Sequence, residues 1–357
     1  MKLKLFIVGS AGVPARYGGF ETFAENVSLR LSQDFNIYIT CSSKFYTYEN
    51  RQKNWNNLTR IFIPVRANGY QSLIYDFISL AIAHSQADFI IMLGSGSGLM
   101  LPFFKILKKL PVAVHIDGIE WKREKWNYFA RTFLWLNYRF CLKFSHYIIV
   151  DNKALIKNIP GKYLSKVINI SYGCEHLPEV KINPTFSGLS YALVIARAEP
   201  ENNLEMIINA FISISYLNLI IISNWKYTKY GRWLFRNTKN ITNVQMISPI
   251  YDDKELLQQY RMGCSVYIHG HSAGGTNPSL IEAMSTGKPI LVFDNDFNRV
   301  TTSNMAYYFN NTLTLRLHLN MIKEEKYLLS GQNLKVFARH EYSWNKVSQK
   351  ILSLIGQ

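Results

Sequence analysis

The sequence predicts an α/β protein made of two doubly wound, Rossmann-like domains. Short apolar runs rich in Ile, Val and Leu recur along the chain, separated by helix-length segments. The runs are continuous rather than alternating, as expected of parallel strands covered on both faces. The pattern stops at a polar, proline-bearing stretch after Gly173 and then restarts. With 357 residues, 48% of them hydrophobic, the chain has material for more than one core.

The first series opens with "LKLFIVG" and then "FETFAENVSLRLSQ", where Phe20, Phe23, Val27 and Leu31 fall near helical spacing. "NIYITC", "LTRIFIPV", "DFIIMLG", "PVAVHID", "HYIIVD" and "KVINISYG" follow, giving an N-terminal domain over residues 1–173. "CEHLPEVKINPTFSGLS" carries Pro178 and Pro184 without periodicity, so residues 174–189 read as a linker. The second series is "YALVIAR", a helix from about Asn202, "LNLIIIS", "NVQMISP", a helix from Asp252, "CSVYIHG", a helix from about Pro278, and "KPILVFD". It gives a C-terminal domain over residues 190–340. "YSWNKVSQKILSLIG" reads as a final amphipathic helix within residues 341–357.

Composition narrows the functional classes. Cys41, Cys141, Cys174 and Cys264 lie far apart, without a CxxC pair or a His at metal spacing, which argues against a disulfide framework or zinc site and for a reducing cytosol. The longest apolar run, from Phe89, is broken by Gly, Ser and Pro and does not span a bilayer. "MKLKLFIVGSAGVPA" resembles a signal peptide, but its apolar core is short and continues into the α/β pattern. The net charge of +16 and 14% aromatic content suit a nucleic acid, an anionic membrane surface or a phosphate-bearing ligand. No nucleic-acid-binding motif is present, so nucleic acid is not expected as a partner.

Two glycine-rich loops carry the candidate chemistry. In "GVPARYGGFETFAENV", Gly18 and Gly19 precede a helix whose first amides can meet a phosphate or sugar, with the charge of Arg16 beside them. A dinucleotide fingerprint is disfavoured, because Ala11 and Pro14 stand where its later glycines belong. An ordinary βα turn explains the loop equally well, with Glu21 complementing the helix dipole. In "HGHSAGGTNPSLIEAMSTGKPILVFD", Gly274 and Gly275 can bring backbone donors to a diphosphate. Thr276 or Asn277 can cap the next helix, Pro278 suits its first turn, and Glu282 can accept hydrogen bonds from a ribose diol. "YDDKE" at Asp252 and Asp253 reads as a helix start rather than a metal site. His115 reads as a strand residue.

These residues resemble the retaining GT-B glycosyltransferases of glycosyltransferase family 4, whose two Rossmann-like domains face each other across a cleft. "GGTNPSLIE" occupies the family's E-x7-E motif: Glu282 matches its second Glu, and the first falls on Gly274. Arg197 in "IARAEPENN" matches the family's diphosphate-binding Arg, while its companion Lys falls on Asn202. "GVPARYGGFETFAENV", "HIDGIEWKREKW", "YGCE", "ARAEPENN" and "GGTNPSLIEAMSTGKPILVFDNDFNR" together look like the bacterial rhamnosyltransferase group of capsule and cell-surface polysaccharide synthesis.

The resemblance implies transfer of L-rhamnose from dTDP-L-rhamnose to a lipid-linked saccharide at the cytoplasmic face of the membrane, with no cofactor and no metal. It implies a donor site of Gly18, Gly19, Arg197, Gly274, Gly275, Thr276, Asn277, Ser279 and Glu282. Arg16, Asp117 and Glu120 are expected at the acceptor, and Asp117, Arg197 and Glu282 in catalysis. "WKREKWNYFARTFLWLNYRFCLKF" mixes cations with aromatic rings suited to a headgroup layer, led by Trp121, Lys122, Arg123, Lys125 and Trp126. A domain helix with one buried aromatic face is the alternative for that segment. The missing Glu and Lys leave room for a non-catalytic GT-B protein that binds nucleotide or glycan. Another nucleotide sugar, or sugar-nucleotide epimerisation, would use the same fold.

Overall fold

The continuous apolar runs fold as central parallel strands. The protein, a computed structural model, is described here for residues 2–16, 18–103, 110–116, 118, 121, 127–183, 186 and 190–356. It divides into two units: Met1–Tyr172 with Trp344–Gln357, and Gly173–Ser343.

The first unit holds β1 (Lys4–Val8), α1 (Gly19–Leu31), β2 (Asn36–Ser42), β3 (Asn54–Trp55), β4 (Leu58–Ile63), α2 (Ser72–Gln86), β5 (Phe89–Leu93), β6 (Val112–Ile116), α3 (Tyr128–Phe144), β7 (Tyr147–Val150) and β8 (Val167–Asn169). The sheet order is β3-β4-β2-β1-β5-β6-β7-β8. Leu5, Phe6 and Ile7 of β1 are fully buried at its centre, in register with Phe89, Ile90 and Ile91 of β5. Only β3 runs antiparallel to its neighbour. It reaches β4 through Asn56 and Asn57, both at positive φ (46° and 64°), a conformation asparagine tolerates in tight hairpins. Two residues are too few to show strand periodicity, and the sequence reading did not contain this hairpin.

The C-terminal helix, Trp344–Ile355, belongs to this unit. It buries Trp344, Val347, Ser348, Ile351 and Leu354 along one face. Trp344 is 0% exposed, with its ring 6.3 Å from Phe23 and 6.5 Å from Tyr172. The sequence reading made residues 341–357 a separate tail after the C-terminal domain. An amphipathic pattern reports an apolar face but not its partner.

The second unit holds β9 (Tyr191–Ile195), α4 (Leu204–Phe211), β10 (Asn218–Ile222), α5 (Lys229–Thr238), β11 (Val244–Ile247), α6 (Lys254–Gly263), β12 (Val266–His269), α7 (Pro278–Met284), β13 (Ile290–Phe293), α8 (Asp296–Thr301), β14 (Tyr307–Phe309), α9 (Thr312–Asn320) and α10 (Glu325–Glu341). Its sheet, β11-β10-β9-β12-β13-β14, is parallel throughout. Val194, Ile207, Phe211, Ile221, Val266 and Ile268 form the centre of its core. Each fully buried side chain of this size stabilises by about 1.5–3 kcal/mol.

The stretch read as a linker is tied to this unit where it is described. The Cys174 amide donates to the Tyr342 carbonyl (3.0 Å), and the Gln259 side chain bonds both Asn183 and Lys181. Both sheets reverse strand order once: between β1 and β5 in the first unit, and between β9 and β12 in the second. Loops at the carboxyl ends of such a junction form the crevice in which open α/β sheets bind ligands. Among the described residues, no helix is long and apolar enough to cross a membrane.

Candidate functional site

At the switch point of the second unit, the loops after β9 and β12 meet. Asn203, at positive φ (52°), donates to the Gly270 carbonyl at 2.8 Å. Ser272 bonds the Glu201 carbonyl through its amide (2.8 Å) and its hydroxyl (3.0 Å). Buried Asn202 donates to the Arg197 carbonyl, so its oxygen is the acceptor toward His271 Nδ1 at 2.9 Å, and that ring nitrogen carries the proton. A side chain on Gly270 would drive its Cβ to 2.2 Å from the Asn202 carbonyl oxygen, so glycine is required by the closeness of the two loops. From the other side, Asn295 and Asn298 donate to the His271 carbonyl at 3.0 and 2.8 Å. Asn202 is therefore a structural bracket between the two loops.

Arg197 stands exposed on the first of these loops. Gly274 (φ +103°), Gly275, Thr276 and Asn277 form the second, with Gly275 and Thr276 buried. Asn277 caps α7, its side-chain oxygen accepting from the Ser279 amide (3.0 Å) and hydroxyl (2.9 Å). His269, which ends β12, is buried, and burial lowers its pKa to about 3.

Glu282 sits in α7 with its side chain 13% exposed. Instead of standing open to a ribose diol, it is engaged inside the unit. Its Oε2 accepts from Arg261, which is 4% exposed, and its Oε1 lies 3.3 Å from His176 Nε2. Burial pushes the Glu282 carboxyl up, but the Arg261 charge and His176 outweigh it and leave the pKa lowered. Sequence reasoning missed both partners. Arg261 ends a helix 21 residues away, and His176 lies in the stretch read as linker.

The switch point of the first unit is built differently. Gly9 has φ +90°, and a Cβ there would lie 2.2 Å from the Leu93 carbonyl oxygen, so that glycine is required by packing. The following loop is held at almost every residue. Tyr75 donates to the Ser10 carbonyl (2.8 Å), the Ser42 amide to Ala11, Arg60 to Val13 and Tyr46 to Pro14. The Ala11 amide donates to Glu21 Oε1 at 2.6 Å and the Ala15 amide to Glu25 Oε2 at 2.5 Å. Burial raises the Glu21 pKa, and the amides of Ala11, Glu21 and Gly18 pull it back only in part.

Glu21 thus braces the loop from within, beyond complementing a helix dipole. Gly18 caps α1 in an ordinary extended conformation and Gly19 begins it, with Arg16 half-buried just before. His115, in β6, is 0% exposed between Phe20 and Phe23, and burial lowers its pKa to about 4.

Asp117, Glu120, Lys122, Arg123, Lys125 and Trp126 lie outside the described residues. Trp121 is half-buried, its ring 4.2 Å from that of Tyr138. Asp253 caps α6 by accepting from the Leu256 amide at 2.8 Å, so "YDDKE" is a helix start. Among the described residues, no three His, Cys, Asp or Glu side chains gather as a metal-ligand set.

Comparisons with known proteins agree with this architecture. The family described as "Domain of unknown function (DUF1972)" matches residues 2–175, and "Glycosyl transferases group 1" matches residues 179–307. No curated protein matches the sequence. Among solved structures, sucrose-phosphate synthase from Thermosynechococcus elongatus superposes with a TM-score of 0.83 at 12% identity, covering 99% of this chain and 98% of that one. Anabaena HepE in complex with UDP-glucose gives 0.76 at 13% identity, with 99% of both chains covered. A glycosyltransferase from Rickettsia africae gives 0.71 at 12% identity, covering 99% and 98%. Residues 179–307 thus match the glycosyl transferases group 1 family, on a chain whose two Rossmann-like units are the architecture of the GT-B glycosyltransferases.

Proposed function

We propose that the protein is a retaining transferase that moves a sugar from a nucleotide-sugar donor, specifically L-rhamnose from dTDP-L-rhamnose, to a lipid-linked saccharide at the cytoplasmic membrane surface. The observation that carries the donor half is the junction of β9 and β12. There Asn202, Asn203 and Ser272 tie the loop that carries the exposed Arg197 to Gly270, His271 and Ser272, from which the second loop runs on to Gly274–Asn277. As the anomeric C–O bond breaks, negative charge collects on the departing diphosphate. Donors fixed beforehand stabilise it without reorganising. Arg197 and the amides of Gly275, Thr276 and Asn277 take that role. Ser279 supports Asn277.

A carboxylate accepts about four hydrogen bonds, so ribose hydroxyls can share Glu282 with Arg261 and His176. Asp117 removes or accepts a proton at the acceptor, and Arg16 and Glu120 bind its hydroxyls. HepE was solved with UDP-glucose, which supports a nucleotide sugar as the donor class. The rhamnose and the lipid-linked acceptor rest on the sequence resemblance.

Membrane attachment is supported by α3, where Tyr128 and Phe129 are 78% and 82% exposed among Arg131, Arg139 and Lys143. Arg139 lies over the Trp135 ring at 5.6 Å. Cations and interfacial aromatics of this kind hold proteins on anionic bilayers. Trp121, Lys122, Arg123, Lys125 and Trp126 extend the same patch in sequence.

The test is a panel of sugar nucleotides offered with membrane lipid extract, products read by mass spectrometry. Rhamnosylated lipid from dTDP-L-rhamnose is expected, and use of a different donor with refusal of this one would refute the rhamnosyl assignment. A second reading, a non-catalytic nucleotide or glycan binder, is favoured by Gly274 and Asn202 at the positions of the family's Glu and Lys. Nucleotide binding without transfer or donor hydrolysis would establish it.

A further inference from the structure

Helix α5 buries Gly231, Leu234 and Thr238 on one side. Its opposite stripe, Lys229, Arg232, Trp233, Arg236 and Asn237, is exposed and lines a groove of about 460 Å3. The spacing i, i+3, i+4, i+7, i+8 makes this one continuous face. From Trp225 to Tyr251 the sequence carries Lys226, Lys229, Arg232, Arg236 and Lys239 with no Asp or Glu. Glu205 lies against Tyr230, which does not line the groove.

The groove is held in shape. Thr228 caps the helix by accepting from the Gly231 amide at 2.9 Å and donates to the Ala198 carbonyl at 2.7 Å. Arg232 donates through one guanidinium nitrogen to the Lys226 carbonyl at 2.8 Å. Trp233 rests beside Tyr230, ring centroids 5.9 Å apart, and leaves 46% of its surface to solvent. Nothing in the core of the second unit needs three cations and an indole on this face. Guanidinium forks match carboxylates, the indole offers a flat face for a sugar ring, and Asn237 can bond hydroxyls.

We propose that the α5 groove binds an acidic saccharide strand, with carboxylates on Lys229, Arg232 and Arg236 and a sugar ring on Trp233. The choice of a saccharide over other polyanions rests on the glycosyltransferase reading. A strand held here keeps a polymer on the enzyme between encounters with the donor site.

Binding is measured by calorimetry with an oligouronate, a neutral glucan oligosaccharide of equal length, polyphosphate, a single-stranded oligonucleotide and anionic phospholipid vesicles. Lys229→Ala, Arg232→Ala and Arg236→Ala combined should weaken oligouronate binding by roughly tenfold or more, because charge-assisted hydrogen bonds are lost. Lys44→Ala, Lys53→Ala and Lys323→Ala combined remove the same charge elsewhere and should change it by less than about twofold. Trp233→Ala should weaken the oligouronate about fivefold and leave polyphosphate nearly unchanged.

Equal losses in the two triple variants, or an unaltered affinity in Trp233→Ala, would overturn the proposal. So would tighter binding of vesicles or oligonucleotide than of oligouronate. Donor hydrolysis by the α5 triple variant should match the unaltered protein. If neither hydrolyses any sugar nucleotide nor transfers sugar to the membrane lipid extract, the transferase reading fails, and the calorimetry still decides whether the groove binds a strand.

Discussion

Each switch point places a glutamate on the helix that follows its glycine-rich loop, and the two glutamates are treated in opposite ways. Glu282 meets a buried guanidinium and an imidazole, and its carboxyl is held below its usual range. Glu21 accepts from the Ala11 backbone amide, and burial holds its carboxyl above that range. Amide dipoles can orient a loop, but they do not replace the hydration an ionised group loses on burial; a nearby full charge can. The first loop is therefore braced by a group that tends toward neutrality. The second sits beside a fixed negative charge, with Arg197 exposed on the neighbouring loop.

Removing each carboxylate should break this comparison most severely. Glu282→Ala leaves Arg261 buried and unpaired, which costs about 3–5 kcal/mol. Glu21→Ala leaves the Ala11 amide without its acceptor and should cost less, about 1–3 kcal/mol. Urea unfolding read by hydrogen exchange in each unit separates the two. Equal losses would mean that the Arg261 pair is worth no more than an amide contact.

The next effect belongs to the ligand. Arg197 is exposed, so Arg197→Ala should leave stability unchanged. It should weaken a nucleoside diphosphate by about 1.5–3 kcal/mol while sparing the free nucleoside. Equal losses for both ligands would give Arg197 a role in shaping the loop instead. Asn202→Lys sharpens the point from the other side. The residue is 4% exposed and engaged with Arg197 and His271, so a lysine there should not add a cation to the diphosphate site. Asn202→Lys should cost about 1–3 kcal/mol in stability through the partners it strands. Tighter diphosphate binding in this variant would show that a lysine there can reach the ligand.

What was legible in the sequence follows from where the determinants lie. Strands buried on both faces announce themselves locally, so the two parallel sheets could be read from runs such as "KLFIV" and "YALVI". The loop before α7 was legible because Gly274, Asn277 and Pro278 act on their own backbone. Partners across the fold were not. Arg261 carries no local mark of its partner, His176 fell in a stretch without periodicity, and Asn202 registered only as a missing lysine. The return of Trp344 to the core beside Phe23 depends on a contact more than 300 residues away in sequence, which no local pattern encodes.

The smallest effect, and the one closest to the electrostatics, is in the pH dependence. The folded-state pKa of Glu282 lies below its ordinary value of 4.5. Its contribution is therefore complete above that value and is lost as pH falls through the folded pKa. The folded-state pKa of Glu21 lies above 4.5, so the fold favours its protonated form. That contribution is complete below 4.5 and declines as pH rises through the raised value. Glutamine keeps the shape and removes the titration in both cases. Relative to the unaltered protein, Glu282→Gln should be least stable near about pH 7 and converge with it as pH falls through the lowered folded-state pKa. Glu21→Gln should show the reverse, gaining on the unaltered protein as pH rises from about 4 to about 7. Thermal unfolding of the three proteins across this range measures both slopes. Parallel curves for the two variants would erase the distinction between a carboxylate held by a cation and one held by amides.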